Sequence, residues 1–351
     1  MLKAATDFLR YRGVKLLKIN YKVNTSQLLI ALCLALTFPG VSIAEELKAD
    51  SQAEMAEGTI AEQDANQAAK ESPFEFMLAG GYRTDNLNWN EANADGSINI
   101  MSELKWTKLE IAQISAAARL KIYDDWNIRG KLNYGRSNAG ANQDSDYSGN
   151  NRSNEWSRSD NKGGAEVRDA SIALGRTIRL MQNNADKFLS VTPLVGLSIH
   201  QQNLTTTDGF QTLPATGAFP RLNNSYDAQW QGQWLGLDTL LQLDKNWSLN
   251  ATAEYHWADY LAHANWNLRT NFAHPVSFIH TATGHGVLFV AGANYQINKT
   301  WRANFSVEVQ QWTTAPGLDR TYYTDGTVGY YTLNEVNWDS TAFSIGMAYS
   351  F

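Results

Sequence analysis

From Phe74 to the end of the chain, large apolar side chains recur at every second position, run after run. The last run is the clearest. Phe343, Ile345, Met347, Tyr349 and Phe351 alternate with Ala342, Ser344, Gly346, Ala348 and Ser350. A strand shows its two faces with period two, so one side of this segment is bulky and apolar and the other small. After Trp301, the set Ala303, Phe305, Val307 and Val309 alternates with Arg302, Asn304, Ser306, Glu308 and Gln310. After Trp247, Leu249, Ala251, Ala253, Tyr255 and Trp257 alternate with Ser248, Asn250, Thr252, Glu254 and His256. After Trp126, Ile128, Leu132 and Tyr134 alternate with Asn127, Arg129, Lys131 and Asn133. Runs of about ten residues, apolar on one side and polar on the other, are what strands need to face lipid outward and a lumen inward.

The punctuation agrees. Four short Asn/Asp-rich turns, at 124–125, 183–187, 244–246 and 298–300, each hand over to an aromatic: Trp126, Phe188, Trp247 and Trp301. Asn and Asp close tight turns through their own side chains, and aromatics at strand starts suit the headgroup level of a bilayer. Five long polar segments (90–98, 138–164, 205–226, 263–284 and 314–336) separate the other strand pairs. The expected strands are 74–89, 99–122, 126–137, 165–180, 187–204, 227–243, 247–262, 285–297, 301–313 and 337–351. The fold class expected is therefore all-β: a ten-stranded antiparallel transmembrane β-barrel over 73–351. Its long loops would be extracellular and both termini periplasmic. The inward positions carry both signs, with Arg129, Lys131 and Arg302 against Glu254, Glu308 and Glu75. An unpaired buried charge is costly, so these six groups are expected to pair and fill the lumen.

The start of the chain differs in texture. Residues 1–27 hold Lys3, Arg10, Arg12, Lys15, Lys18 and Lys22 against Asp7, and the apolar run Leu28–Phe38 is followed by Pro39-Gly40 and a small-residue site at 42–44. Eleven apolar residues are too few to span a bilayer, and the whole reads as a signal peptide over 1–44. Residues 45–72, rich in Ala, Glu, Gln and Asp without aromatics, read as a disordered or weakly helical periplasmic tail. Cys33, the one cysteine, falls within the expected signal, so the mature chain would have no thiol chemistry. No apolar stretch after Phe38 is long enough for a membrane helix. Aromatics at 11% with a mean hydropathy of −0.39 fit apolar residues spread by alternation rather than gathered in helices. The net charge of −6 gives no electrostatic case for nucleic acid as a partner.

A strand of this kind ending on Phe351 resembles the C-terminal signal that bacterial outer-membrane proteins present to the barrel assembly machinery. The barrel expected here resembles the omptins, outer-membrane endopeptidases that need lipopolysaccharide. Ser102-Glu103-Leu104-Lys105-Trp106 is similar to the omptin SxLxW entry to the second strand, and Asp144-Ser145-Asp146-Tyr147 is similar to the DQDW segment that supplies two of the four catalytic groups. The resemblance is strongest over 102–147 and elsewhere lies in spacing. It implies contact with lipopolysaccharide and outer-membrane lipid. It also implies a water molecule held between an Asp pair and an Asp–His pair. The second pair would fall seven and nine residues beyond Trp257, at Ala264 and Trp266, and neither can take a proton. His263 is adjacent. Proteolysis would require Asp144 and Asp146 to work with His263, or with His274, from a shifted position.

Asp144, Asp146, Ser148, Asn150 and Glu155 also match the spacing of a calcium loop of the D-x-D-x-S-G-x5-E kind, with Gly149 at the bend. Asn151 stands where an apolar anchor is usual and no helices flank the segment, so a plain solvated loop is the competing reading. Four histidines between 263 and 285 are spaced irregularly for a transition-metal site, while His200 and His256 fall on inward positions. Trp156, Tyr226, Tyr322, Tyr323, Tyr330 and Tyr331 lie in expected loops, either as contact surface or as an outer aromatic girdle. No cofactor is called for. The expected function is that of an outer-membrane barrel of omptin-like architecture, non-proteolytic, acting in surface interaction or adhesion through long extracellular loops. The alternatives are an omptin-type endopeptidase and a small passive channel; a charged, side-chain-filled interior of ten strands argues against the channel.

Overall fold

The computed structural model describes residues 73–123, 125–184 and 187–351. The expected signal peptide and tail, and parts of two of the short turns, lie outside the described residues. Twelve strands follow one another: β1 (Phe74–Ala92), β2 (Ser102–Tyr123), β3 (Trp126–Tyr147), β4 (Glu155–Arg176), β5 (Ile178–Asn184), β6 (Lys187–Leu213), β7 (Gly217–Gln242), β8 (Trp247–Asn265), β9 (Phe278–Gln296), β10 (Trp301–Thr314), β11 (Gly317–Tyr322) and β12 (Val328–Ser350). Ten of them pair antiparallel in the ring order β1-β2-β3-β4-β6-β7-β8-β9-β10-β12, and β12 closes on β1 from Glu75↔Ser350 to Ala92↔Thr332. Closure leaves no unpaired edge, which a strand-built membrane span requires. β5 continues the line of β4 beyond Thr177 and pairs with β6. β11 fills the gap above the end of β10 by pairing with both β9 and β12.

The outward face defines the lipid band. Leu78 and Tyr82 on β1, Ile114 on β2, Leu132 and Tyr134 on β3, Val195 on β6, Leu235 and Leu237 on β7, Phe289 on β9, Phe305 on β10 and Phe343 and Ile345 on β12 are all exposed. At the short-turn end the band is bordered by Trp126, Trp247 and Trp301, with Trp247 against Tyr295 and Trp301 against Tyr349, each at 4.9 Å between ring centres. At the other end the outward positions turn polar in every ring strand, at Thr84, Glu110, Arg136, Arg168, Gln201, Gln233, Asp259, His285, Gln311 and Asp339. From Trp301 to Val309, or Trp247 to Trp257, is the span of about ten residues that a tilted strand needs to cross the hydrocarbon.

The strands do not stop at the polar collar. The segment expected as a loop over 138–164 is strand to Tyr147 and again from Glu155, with a three-residue turn of 3-10 helix, Asn150–Arg152, at its tip. The segment 205–226 is likewise β-hairpin except near 214–216. The alternation continues there, but without lipid outside it lacks the apolar outer row that marked the spans, so these extensions were expected to be loops.

Inside, the barrel is layered. Within the lipid band the six inward charges expected to pair do so with one another: Arg129 with Glu254, Lys131 with Glu308, and Arg302 with Glu75 at 2.5 Å. Asp238 joins this network at 2.7 Å from Arg129 and 3.1 Å from Arg119. Higher up, buried Arg83 holds Asp85 and Asp169, and His200 Nδ1 lies 3.0 Å from Asp169. Above that, aromatic rings cross the interior. Trp312 stacks on Trp338 at 5.4 Å, Trp230 packs 5.6 Å from Trp312, and His200 and His256 each lie 4.8 Å from Trp312. Small residues make the room: a Cβ on Gly286 would come within 2.3 Å of the Trp312 ring.

Candidate functional site

Beyond the aromatic layer, where the long hairpins begin, the ends of β1, β3, β9 and β11 bring four carboxylates and an imidazole together. Register places Asp319 of β11 opposite His280 of β9, and His280 Nε2 lies 2.8 Å from Asp319 Oδ2. The other ring nitrogen, Nδ1, lies 2.8 Å from the Tyr226 hydroxyl, which is itself 2.8 Å from the Tyr260 hydroxyl. Thr321 donates to Asp319 Oδ1 at 2.6 Å. His280 is fully buried, with Trp89 edge-on at 4.8 Å and Phe278 at 5.0 Å. Glu91, at the end of β1, meets the Asp319 carboxylate. One ligand-type atom from each of Glu91, His280 and Asp319 lies within 4.8 Å of the others.

Burial dominates the electrostatics of this mouth. Removal from water holds the Glu91 carboxyl well above the usual range, and the charges of Asp319, Asp146 and Asp144 add to it. Asp144 is pushed up to about 7, first by burial and then by Asp146, with Arg269 and a hydrogen bond from Trp266 pulling the other way. Asp146 is also raised by burial, against hydrogen bonds from Ser102 and Ser157 and the charge of Arg269 at 3.6 Å. Burial also raises the phenols of Tyr226 and Tyr260. A carboxyl near 7 can take up or release a proton at neutral pH.

Asp144 and Asp146 sit at alternate positions of β3, half-buried, opposite Leu104 and Ser102 of β2. The structure does not bring His263 to them. It stands exposed on the outward side of β8, opposite Asp227 of β7, because odd positions of β8 face out and even ones in. His274 is exposed and lies 2.7 Å from Asn265 Oδ1. Trp266 is buried and donates to Asp144. The five residues of calcium-loop spacing do not converge either. Asp144 and Asp146 belong to a strand, and the Ser148 hydroxyl donates to Asn154 O at 3.1 Å. Asn150 Oδ1 accepts from the Asn99 backbone at 2.8 Å, and Glu155 is paired with Arg158 at 2.5 Å. Tyr226, expected on a loop, points into the barrel.

Nothing in the sequence alone gathers Glu91, Tyr226, Tyr260, His280 and Asp319 into one site. His280 carried a usable signal, since it has the inward parity of β9 while exposed Phe289 has the outward one. Asp319 carried none, because nothing in 314–336 marked a strand.

Comparison with known proteins fits this architecture. A family model described as Pom, Protochlamydia outer membrane protein, matches residues 77–351. No curated protein matches the sequence. Among solved structures, the outer membrane protease OmpT from Escherichia coli superposes with a TM-score of 0.67 at 14% identity, covering 80% of this chain and 98% of its own. At that identity the likeness shows the fold alone. OprG from Pseudomonas aeruginosa (TM-score 0.34, 12% identity, 80% of this chain and 97% of its own) and the translocator domain of NalP from Neisseria meningitidis (0.36, 11%, 82% and 91%) are too dissimilar to carry an argument.

Proposed function

This chain belongs to the Protochlamydia outer membrane protein family, and we propose that it acts as a closed outer-membrane barrel whose long hairpins face outside and engage external partners. The observation that carries this reading is the layer of Trp230, Trp312 and Trp338 packed across the interior above the ion-pair network. A lumen filled this way favours presentation at the rim over passage through the middle. The extended hairpins β3–β4 and β6–β7 then project well beyond the lipid band, with exposed Trp156 and Phe210 on them.

Contact with lipopolysaccharide has support on the outer wall. A groove of about 420 Å³ across β3, β4 and β6 begins at the collar, with exposed Arg136 and Lys162, and the carboxylate of Glu166, in its lining. Cations at that height suit headgroup phosphates.

The test is surface labelling followed by binding. A cysteine placed at Ala215, at the β6–β7 tip, should react with a membrane-impermeant maleimide on intact cells. Labelling that requires lysis would reverse the orientation. Shortening the β6–β7 hairpin should then weaken attachment of the purified barrel to lipopolysaccharide-bearing or host surfaces; unchanged attachment would remove the interaction role.

A second reading, omptin-type hydrolysis, is favoured by Asp144, whose carboxyl near 7 suits a general base. Against it, Ala264 and Trp266 occupy the places of the second pair. Cleavage of basic peptides by the refolded barrel with lipopolysaccharide, lost in Asp144→Ala, would establish it.

A further inference from the structure

We propose that Glu91, His280 and Asp319 form a binding site for a divalent transition ion of the zinc class. The three side chains come from β1, β9 and β11 and offer one imidazole nitrogen and two carboxylates, their donor atoms within 4.8 Å of one another. A tetrahedral site with bonds of about 2.1 Å has edges of roughly 3.4 Å. His280 Nε2 and Asp319 Oδ2, now 2.8 Å apart, would part by about 0.6 Å to admit an ion, and Glu91, whose donor atom lies within 4.8 Å of both, would complete the set.

A second observation points to a cation independently of the grouping. Glu91 Oε2 is shut off from solvent and no hydrogen-bond donor faces it. Its carboxylate neighbour Asp319 is an acceptor too. Two acceptors in contact in a water-poor place need something positive between them, either a shared proton or a metal ion. Asp144 and Asp146 lie near enough to Glu91 that their carboxylates, when ionised, add negative charge there.

The surroundings are those a metal-bound imidazole needs. The Tyr226 hydroxyl at Nδ1 would accept that nitrogen's proton bond and leave Nε2 free to ligate, while the Tyr260 hydroxyl in turn holds Tyr226. Thr321 orients Asp319 through its Oδ1. Trp89 and Phe278 pack the ring in place. The nitrogen ligand selects against calcium and magnesium, which prefer all-oxygen shells. Three protein donors leave a fourth position for water.

The experiment uses the full-length barrel refolded in detergent without a polyhistidine tag. Titration with zinc chloride by calorimetry, and with cobalt chloride by visible absorption, should show one ion bound and a raised melting temperature. Magnesium and calcium chloride should do neither. His280→Ala and Glu91→Gln should each weaken binding about tenfold or more. Glu91→Gln nearly preserves shape, so it decides the matter should the histidine variant fail to fold. Zinc affinity unchanged in Glu91→Gln, or no stoichiometric zinc or cobalt binding by the native barrel, would overturn the site and leave a shared proton between Glu91 and Asp319.

Discussion

Arg83 reaches across the barrel interior to Asp169, Nη1 to Oδ2 at 2.8 Å, while its Nε and Nη2 hold the two oxygens of Asp85 on its own strand at 2.6 Å each. All three side chains are almost wholly shielded from water, and Trp338 donates to Asp85 at 3.1 Å. Removing the guanidinium leaves two buried carboxylates without their counter-ion. Arg83→Ala is therefore expected to destabilise the barrel by about 3–5 kcal/mol. Urea unfolding, or the temperature at which the folded band disappears from unboiled gels, measures it. A loss under 1 kcal/mol (about that of an exposed pair) would mean that water reaches this layer.

Lys131 and Glu308 form a pair of the same kind lower in the barrel, but both ends are partly wet, at 35% and 14% exposure. Glu308→Ala should lower stability less, by about 1–2 kcal/mol. The ordering of the two variants is the informative result. If Glu308→Ala cost as much as Arg83→Ala, the interior would be uniformly dry and not layered.

The pairings of Arg129, Lys131 and Arg302 with Glu254, Glu308 and Glu75 were legible in the sequence because strand parity alone sets which side chains face inward, and buried charge must be matched. The ten spans were legible for the same reason: lipid imposes an apolar outer row, from Leu78 to Ile345. Above the collar that constraint disappears. The extensions through Asp144, Asp146 and Tyr226 carry polar residues on the outside, so period two is masked and hairpin reads as loop. β11 is six residues long and is held by pairing to β9 and β12, which no local pattern announces. The mouth cluster depends on that strand for Asp319 and so could not be assembled from sequence. His263 is near the expected place along the chain, but parity turns it outward and turns His280 in.

Asp144 gives the pH dependence a definite direction. The folded chain keeps its proton up to about pH 7, whereas an unfolded aspartate releases it near about 3.9. Between those values the folded state binds more protons than the unfolded one, so this group's contribution to stability is largest in acid and falls as pH rises through the window. Asp144→Asn removes the contribution. The variant should melt above the native protein at about pH 8, with the difference shrinking towards about pH 4. A native protein that melted above the variant at about pH 8, and lost that advantage on acidification, would show that the carboxylate is held charged, as a partner of Arg269.

The tryptophan layer makes a prediction about conduction. Trp312 is buried between Trp230, Trp338, His200 and His256, with the Gly286 backbone pressed against its ring. Replacing Trp312 and Trp338 together by Ala removes two large side chains from one level of the interior. The strand hydrogen bonds that close the ring are untouched, so the barrel can persist around the opening. Native protein in planar bilayers should give no discrete current steps, and the double variant should give small ones, biased towards cations by Asp85 and Asp169 beneath the opened level. Equal currents from both proteins would mean that ions already find a way past the tryptophans, and the barrel would then have to be understood as a channel.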